Sequence, residues 1–182
     1  MTIRSDEAAA TLAEIERVVA KVKQSRLYRL TGALLVLWGA IVVAADLIGF
    51  VWPRGSVWTW VAANALGAAA SFAMLRAGPD VPRRMPWRFL AAFAVFVAFG
   101  LLWSVGFGRF GPRELDAFWP TLFLFGYALA GLWFGAAFAA LGLGLSALVF
   151  AGYLWSGEWF TLWLAAVNGG GFILCGLRMR RA

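Results

Sequence analysis

Histidine is absent from the 182 residues, cysteine occurs once, and only 14% of the chain is charged. Without histidine there is no Ser-His-Asp triad, no His-ligated haem and no Cys/His zinc site. One cysteine allows neither an internal disulfide nor a Cys-x-x-Cys redox pair. We therefore expect no catalytic residue, no metal site and no cofactor, and read the protein as non-enzymatic. Both lysines, Lys21 and Lys23, precede the first hydrophobic stretch, which removes a buried Schiff-base amine, and no nucleophile has a neighbouring base. Cys175 stands among Gly and Leu with no adjoining Lys or Arg to stabilise a thiolate, and reads as a small packing residue.

What is present is apolar. Hydrophobic residues make up 63% of the chain, against about 45–50% in a soluble domain, and one small core could not bury the excess. A stretch of roughly 20 apolar residues crosses the bilayer. Leu30 to Val51, Val57 to Leu75, Arg88 to Phe107 and Trp159 to Leu177 each qualify. The tract from Ala117 to Trp155 would reach about 58 Å as one helix, so it must fold back, and we expect the break around Phe138 to Leu141 although no polar turn residue marks it. The expected fold is all-α: a cytoplasmic amphipathic helix in residues 1–29, a bundle of six transmembrane helices in 30–177, and a basic tail in 178–182. The first hydrophobic stretch is too long, and the segment before it too long and too acidic, for a cleaved signal peptide.

Net charge is +7, yet the basic residues flank the spans, which reads as orientation and contact with anionic lipid, not nucleic acid. Arg4, Arg17, Lys21, Lys23, Arg26 and Arg29 precede the first span; Arg76, Arg83, Arg84 and Arg88 lie in the second connection; Arg178, Arg180 and Arg181 form the tail. Of the 16 basic residues only Arg54, Arg109 and Arg113 fall on the opposite side. Basic groups resist translocation, so both termini should be cytoplasmic in a bacterial inner membrane. The same topology puts Glu114, Asp116 and Glu158, with Asp46 close by, toward the outer face. Trp52, Trp58, Trp60, Trp103, Trp119, Trp155 and Trp159 gather there too, and Trp87 and Tyr28 mark the inner boundary. An aromatic belt explains them simply; an aromatic-lined outer pocket for a lipid or quinone-like ligand is the sharper reading.

Polar groups inside spans are costly and become candidates for function. Asp46 lies about 8 Å from the outer end of the first span and Asn64 about 10 Å into the second. Their depths match across the short connection, so a hydrogen bond between them is expected if their faces meet, with a structural role favoured over a proton or cation site. Asn168 falls near the midplane, ahead of Gly169, Gly170 and Gly171, which allow either close helix packing or a broken helix lining a cavity. Close packing is favoured there, and also for the stripe Gly131-x-x-x-Gly135-x-x-x-Ala139. Asn64 and Asn168 can be aligned in a faint parallel repeat of the second and sixth spans, but chance explains four identities in chains so rich in Ala and Gly.

Ser5, followed by Asp6 and Glu7, marks a helix start. Ala8, Leu12, Ile15, Val19 and Val22 then recur at coiled-coil spacing, without the Trp or Phe of an in-plane membrane helix. That seam suits a protein partner or self-association, with packing on the protein's own loops as the alternative. No named family is recognised. The favoured function is structural or regulatory, through a partner; the alternative is a small-solute or ion transporter or channel using Asp46, Asn64 and Asn168. In a Cys175→Ser background, single cysteines at Arg4 and Arg181 should be labelled from the cytoplasm and those at Gly111 and Gly157 from outside; external labelling at Arg181 would overturn the six-span count.

Overall fold

A computed structural model describes residues 5–77 and 87–181, and within these the side chains of 5–11, 16, 19–24, 26, 27 and 89 lie outside the description. Every long element is a helix, and no strand occurs among the described residues. The order is α1 (Ser5–Val51), α2 (Ser56–Ala77), α3 (Trp87–Leu101) continued by a π-helical turn (Leu102–Phe107), α4 (Pro112–Phe134), α5 (Ala136–Trp155), α6 (Phe160–Leu164) and, after a second π-helical turn (Ala165–Gly169), α7 (Gly170–Arg181). Six helical stretches are long and apolar enough to cross a membrane: Tyr28–Val51, Pro53–Ala77, Leu90–Phe107, Pro112–Phe134, Ala136–Trp155 and Gly157–Arg181. The chain is a multi-pass membrane protein. An even number of spans puts both termini at one end of the bundle, here the near end; the opposite end is the far end.

The segment before the first span and the span itself form one helix. α1 runs 47 residues without a break, so the part before Tyr28 continues the span for about 35 Å. Its exposed Leu12 and Ile15 are described, whereas the side chains of Val19 and Val22 lie outside the described residues.

α4 and α5 break at Gly135, not at Phe138 to Leu141. Gly135 has φ 116° and ψ 158°, a backbone conformation costly for any residue with a Cβ, and its N–H still donates to the Gly131 carbonyl at 3.2 Å. The reversal needs no polar residue, because one glycine supplies the dihedral angles that turn the chain. Gly135 is therefore the hinge of this hairpin and not part of a stripe within one helix. Gly131 and Ala139 instead face each other across it, and Gly142 faces the Ala128 backbone so closely that a Cβ at either glycine would collide.

Comparably tight is the antiparallel seam of α1 with α7 and the π turn before it. A Cβ on Gly32 would stand 2.7 Å from the Gly176 carbonyl oxygen, and one on Gly39 would stand 2.7 Å from that of Gly169. Both glycine pairs are seven residues apart, so the two backbones touch every second turn. The buried core lies beside this seam, with Leu35, Leu124, Leu141, Leu145, Val149, Leu164 and Phe172 packed together. α2 rests on α1 where Gly67 lies under the Trp38 ring and the Trp38 indole donates to Ser71 Oγ at 3.1 Å. α3 meets α4 through rings, with Phe93 and Phe96 against Phe123, and through Gly100 beneath Trp119.

Filling the seam should unfold it. Gly39→Val is expected to cost about 1–3 kcal/mol or more, the usual range for overpacking, whereas Gly144→Ala, whose Cβ would meet nothing within 4 Å, should be neutral or slightly stabilising in the same thermal unfolding assay.

Candidate functional site

Four spans converge at the far end around an open cleft of about 380 Å³. α1 contributes Ala45, Asp46, Gly49 and Phe50, and the turn after it Pro53. α2 adds Ser56 and Trp60; the start of α4 adds Pro112, Arg113 and Asp116; the start of the sixth span adds Gly157, Glu158, Phe160 and Thr161. Exposed Pro53, Pro112 and Glu158 form its rim.

Local sequence explains why these groups arrive together. Pro112 occupies the first turn of α4, where its fixed φ suits helix initiation and its missing N–H removes nothing. Glu114 follows in the first turn of the helix, where partial positive charge favours a carboxylate, and Asp116 comes half a turn later. Pro120, inside α4, has no N–H to give to the Asp116 carbonyl. Gly157, at φ 56°, turns the chain from α5 into the sixth span.

Asp46 is the unusual member. It is 4% exposed, and its Oδ2 accepts no hydrogen bond. It lies near the C-terminal end of α1, where the helix dipole disfavours an anion. Asp116, on α4, lines the same cleft. The one basic residue of the lining is engaged elsewhere: Arg113 Nη2 donates to the Tyr153 carbonyl at 2.8 Å, and its guanidinium carbon lies 5.2 Å from the Tyr153 ring centroid and 5.5 Å from that of Phe160. Arg113 thus ties the start of α4 to the end of α5 and the start of α6.

The three polar residues singled out by depth do not form one site. Asn64 is exposed on α2, and its Nδ2 donates to the Trp60 carbonyl one turn back at 2.8 Å. The expected Asp46–Asn64 hydrogen bond is therefore not made: the depths match, but Asn64 faces away from α1. Asn168 is 4% exposed within the second π turn, and its Oδ1 is unpartnered. It adjoins the glycine seam about 10 Å nearer the midplane than Asp46 by the helical rise, and it does not line the cleft. The two asparagines of the supposed repeat sit in opposite environments.

The glycine run divides similarly. Gly169, the last residue of the π turn, packs against Gly39 and Val43, and Gly171 against the Leu145 side chain, whereas Gly170, the first residue of α7, has only the Ala165 carbonyl at 4.0 Å. Trp52, Trp58, Trp103, Trp155 and Trp159 are exposed, which suits a lipid-facing belt, and of the far-end tryptophans only Trp60 lines the cleft. Gly32, Gly39 and Arg113 were not singled out by sequence. The seven-residue spacing of Gly32 and Gly39 against Gly169 and Gly176 was the available signal for the seam, and nothing local marks Arg113.

Comparison with family models, curated proteins and solved structures finds no match. No family is assigned.

A double-mutant cycle of Asp46→Asn with Asn64→Leu, read by thermal unfolding, should give a coupling energy within about 0.3–0.5 kcal/mol of zero, as for independent sites. A coupling of about 1 kcal/mol, near the upper range for hydrogen bonds between membrane helices, would restore the pair.

Proposed function

We propose that this is a small non-enzymatic membrane protein with a structural or regulatory role, seated in a bacterial inner membrane with both termini cytoplasmic, that acts by pairing its projecting helix with that of a second copy. The observation behind this reading is the continuity of α1 from Ser5 to Val51. A helix lying in the membrane plane needs a break between itself and the span, and α1 has none. Its extension continues the span as a rod away from the bilayer. Leu12 and Ile15 on that rod are 59% and 54% exposed, at positions of the coiled-coil seam. Insertion gives every copy the same orientation, so two such rods run parallel and in register, the geometry a heptad seam requires. Orientation is supported by the basic residues collected at the near end.

The transport alternative draws less support. It needs Asp46, Asn64 and Asn168 along one path, whereas Asn64 lies on an exposed face and Asn168 is enclosed beside the glycine seam.

Replacing Leu12 and Ile15 together by Asp should reduce disulfide cross-linking through a cysteine at Val19, in a Cys175→Ser background, at least several-fold while leaving membrane insertion unchanged. Unchanged cross-linking, together with strong helical binding of a Ser5–Gln24 peptide to anionic vesicles, would assign the helix to the membrane surface. Loss of a cross-link to a different protein instead would replace the second copy by that partner.

A further inference from the structure

The far-end cleft lies at the opposite end of α1 from that pairing, and its chemistry is specific. Three carboxylates line it, Asp46, Asp116 and Glu158, from three different parts of the chain. Arg113, the lining's single cation, spends its guanidinium on the Tyr153 carbonyl and on two rings. Asp46 Oδ2 is left buried without a donor. A carboxylate stripped of water and unpaired is unfavourable unless a proton or cation compensates it. Nothing in α1 does so: no basic residue lies in its last turn.

The shape of the cleft narrows the class of cation. Its 380 Å³ is room for about a dozen waters at roughly 30 Å³ each, far more than a bare ion needs, and it falls within the range of small-molecule pockets. Among the described residues no three His, Cys, Asp or Glu side chains are grouped to hold a metal ion. Phe50 and Trp60 add apolar, π-faced wall beside the carboxylates. We infer that the cleft binds a small organic ammonium ion, which donates N–H hydrogen bonds to Asp46 and Asp116 and lays its carbon body against Phe50 and Trp60. An ammonium without N–H groups would be attracted by charge but would leave Asp46 Oδ2 unpartnered, so primary amines should bind more tightly than quaternary ones.

The test titrates the full-length protein in nanodiscs with benzylammonium near neutral pH, by calorimetry and thermal unfolding, against benzyltrimethylammonium, Na⁺ and Ca²⁺. Saturable one-site binding of benzylammonium that raises the unfolding temperature is expected, with the quaternary analogue about tenfold weaker. Asp46→Asn and Asp116→Asn should each weaken binding about tenfold or more, as loss of a charge-assisted hydrogen bond does, while Glu158→Gln at the exposed rim should change it less than threefold. Ligand-free Asp46→Asn should unfold at or above the wild-type temperature, which separates lost binding from lost fold; Asp116→Asn, on another helix, carries the test by itself if Asp46→Asn does not fold. Absence of saturable binding, or affinity unchanged in both Asn variants, would overturn the inference. So would displacement of benzylammonium by Na⁺ or Ca²⁺ at lower concentration, which would make the cleft an inorganic cation site.

Discussion

Helices in lipid gain little from hiding apolar side chains from each other, because lipid tails are as apolar as leucine. What draws two of them together is the closeness that backbones reach when side chains are missing. In this bundle that closeness is reached where Gly32 meets Gly176 and Gly39 meets Gly169, and again where Gly131 and Gly142 meet the facing helix of the α4–α5 hairpin. The first and last spans are thereby locked antiparallel, and the remaining helices hang on them: α2 by the Trp38 indole on Ser71, α5 by Leu145 over Gly171, and α4 through its hairpin with α5. The seam fixes the relative heights of α1 and α6, and so fixes which residues reach the far end together.

The same seven-residue series that places Gly32 and Gly39 reaches Asp46 next. A third glycine there would extend the seam; a carboxylate cannot be packed that way, and it is here that the helices part into the cleft. The π turn Ala165–Gly169 lies between the packed part of the last span and the part that lines the cleft. Such turns insert one extra residue per turn and occur often at functional sites. Asn168 sits in it with an unpartnered Oδ1, yet a neutral amide tolerates burial far better than a carboxylate does. The two buried polar residues thus carry different demands: Asn168 can be held by packing alone, whereas Asp46 calls for a proton or a counter-charge.

Much of this architecture was legible because hydrophobic length is a one-dimensional signal. Six spans, the shared side of the termini, and the common height of Asp46, Asp116 and Glu158 all follow from counting along the chain. Faces did not follow. A lipid-exposed helix is apolar all round, so no stripe tells which side meets a neighbour, and Asn64 was matched to Asp46 in depth while pointing elsewhere. The break at Gly135 escaped for a related reason: soluble turns advertise themselves with polar residues, whereas this one needs only a glycine with positive φ. The seam was written as a glycine spacing in two segments far apart in sequence, and it becomes meaningful only when one asks which pairs of spans can approach to backbone contact.

α1 carries both proposals. Its far end bears Asp46 and its near end bears Leu12 and Ile15, with one unbroken helix between them. A cation held between Asp46 and Asp116 would draw α1 toward α4 at the cleft, and the glycine contacts with α7 lie between the two ends of α1. A rod tilted at one end moves at the other. If pairing of the near ends prefers one tilt, ligand affinity and pairing share a coupling free energy, and linkage requires each to change the other by the same factor.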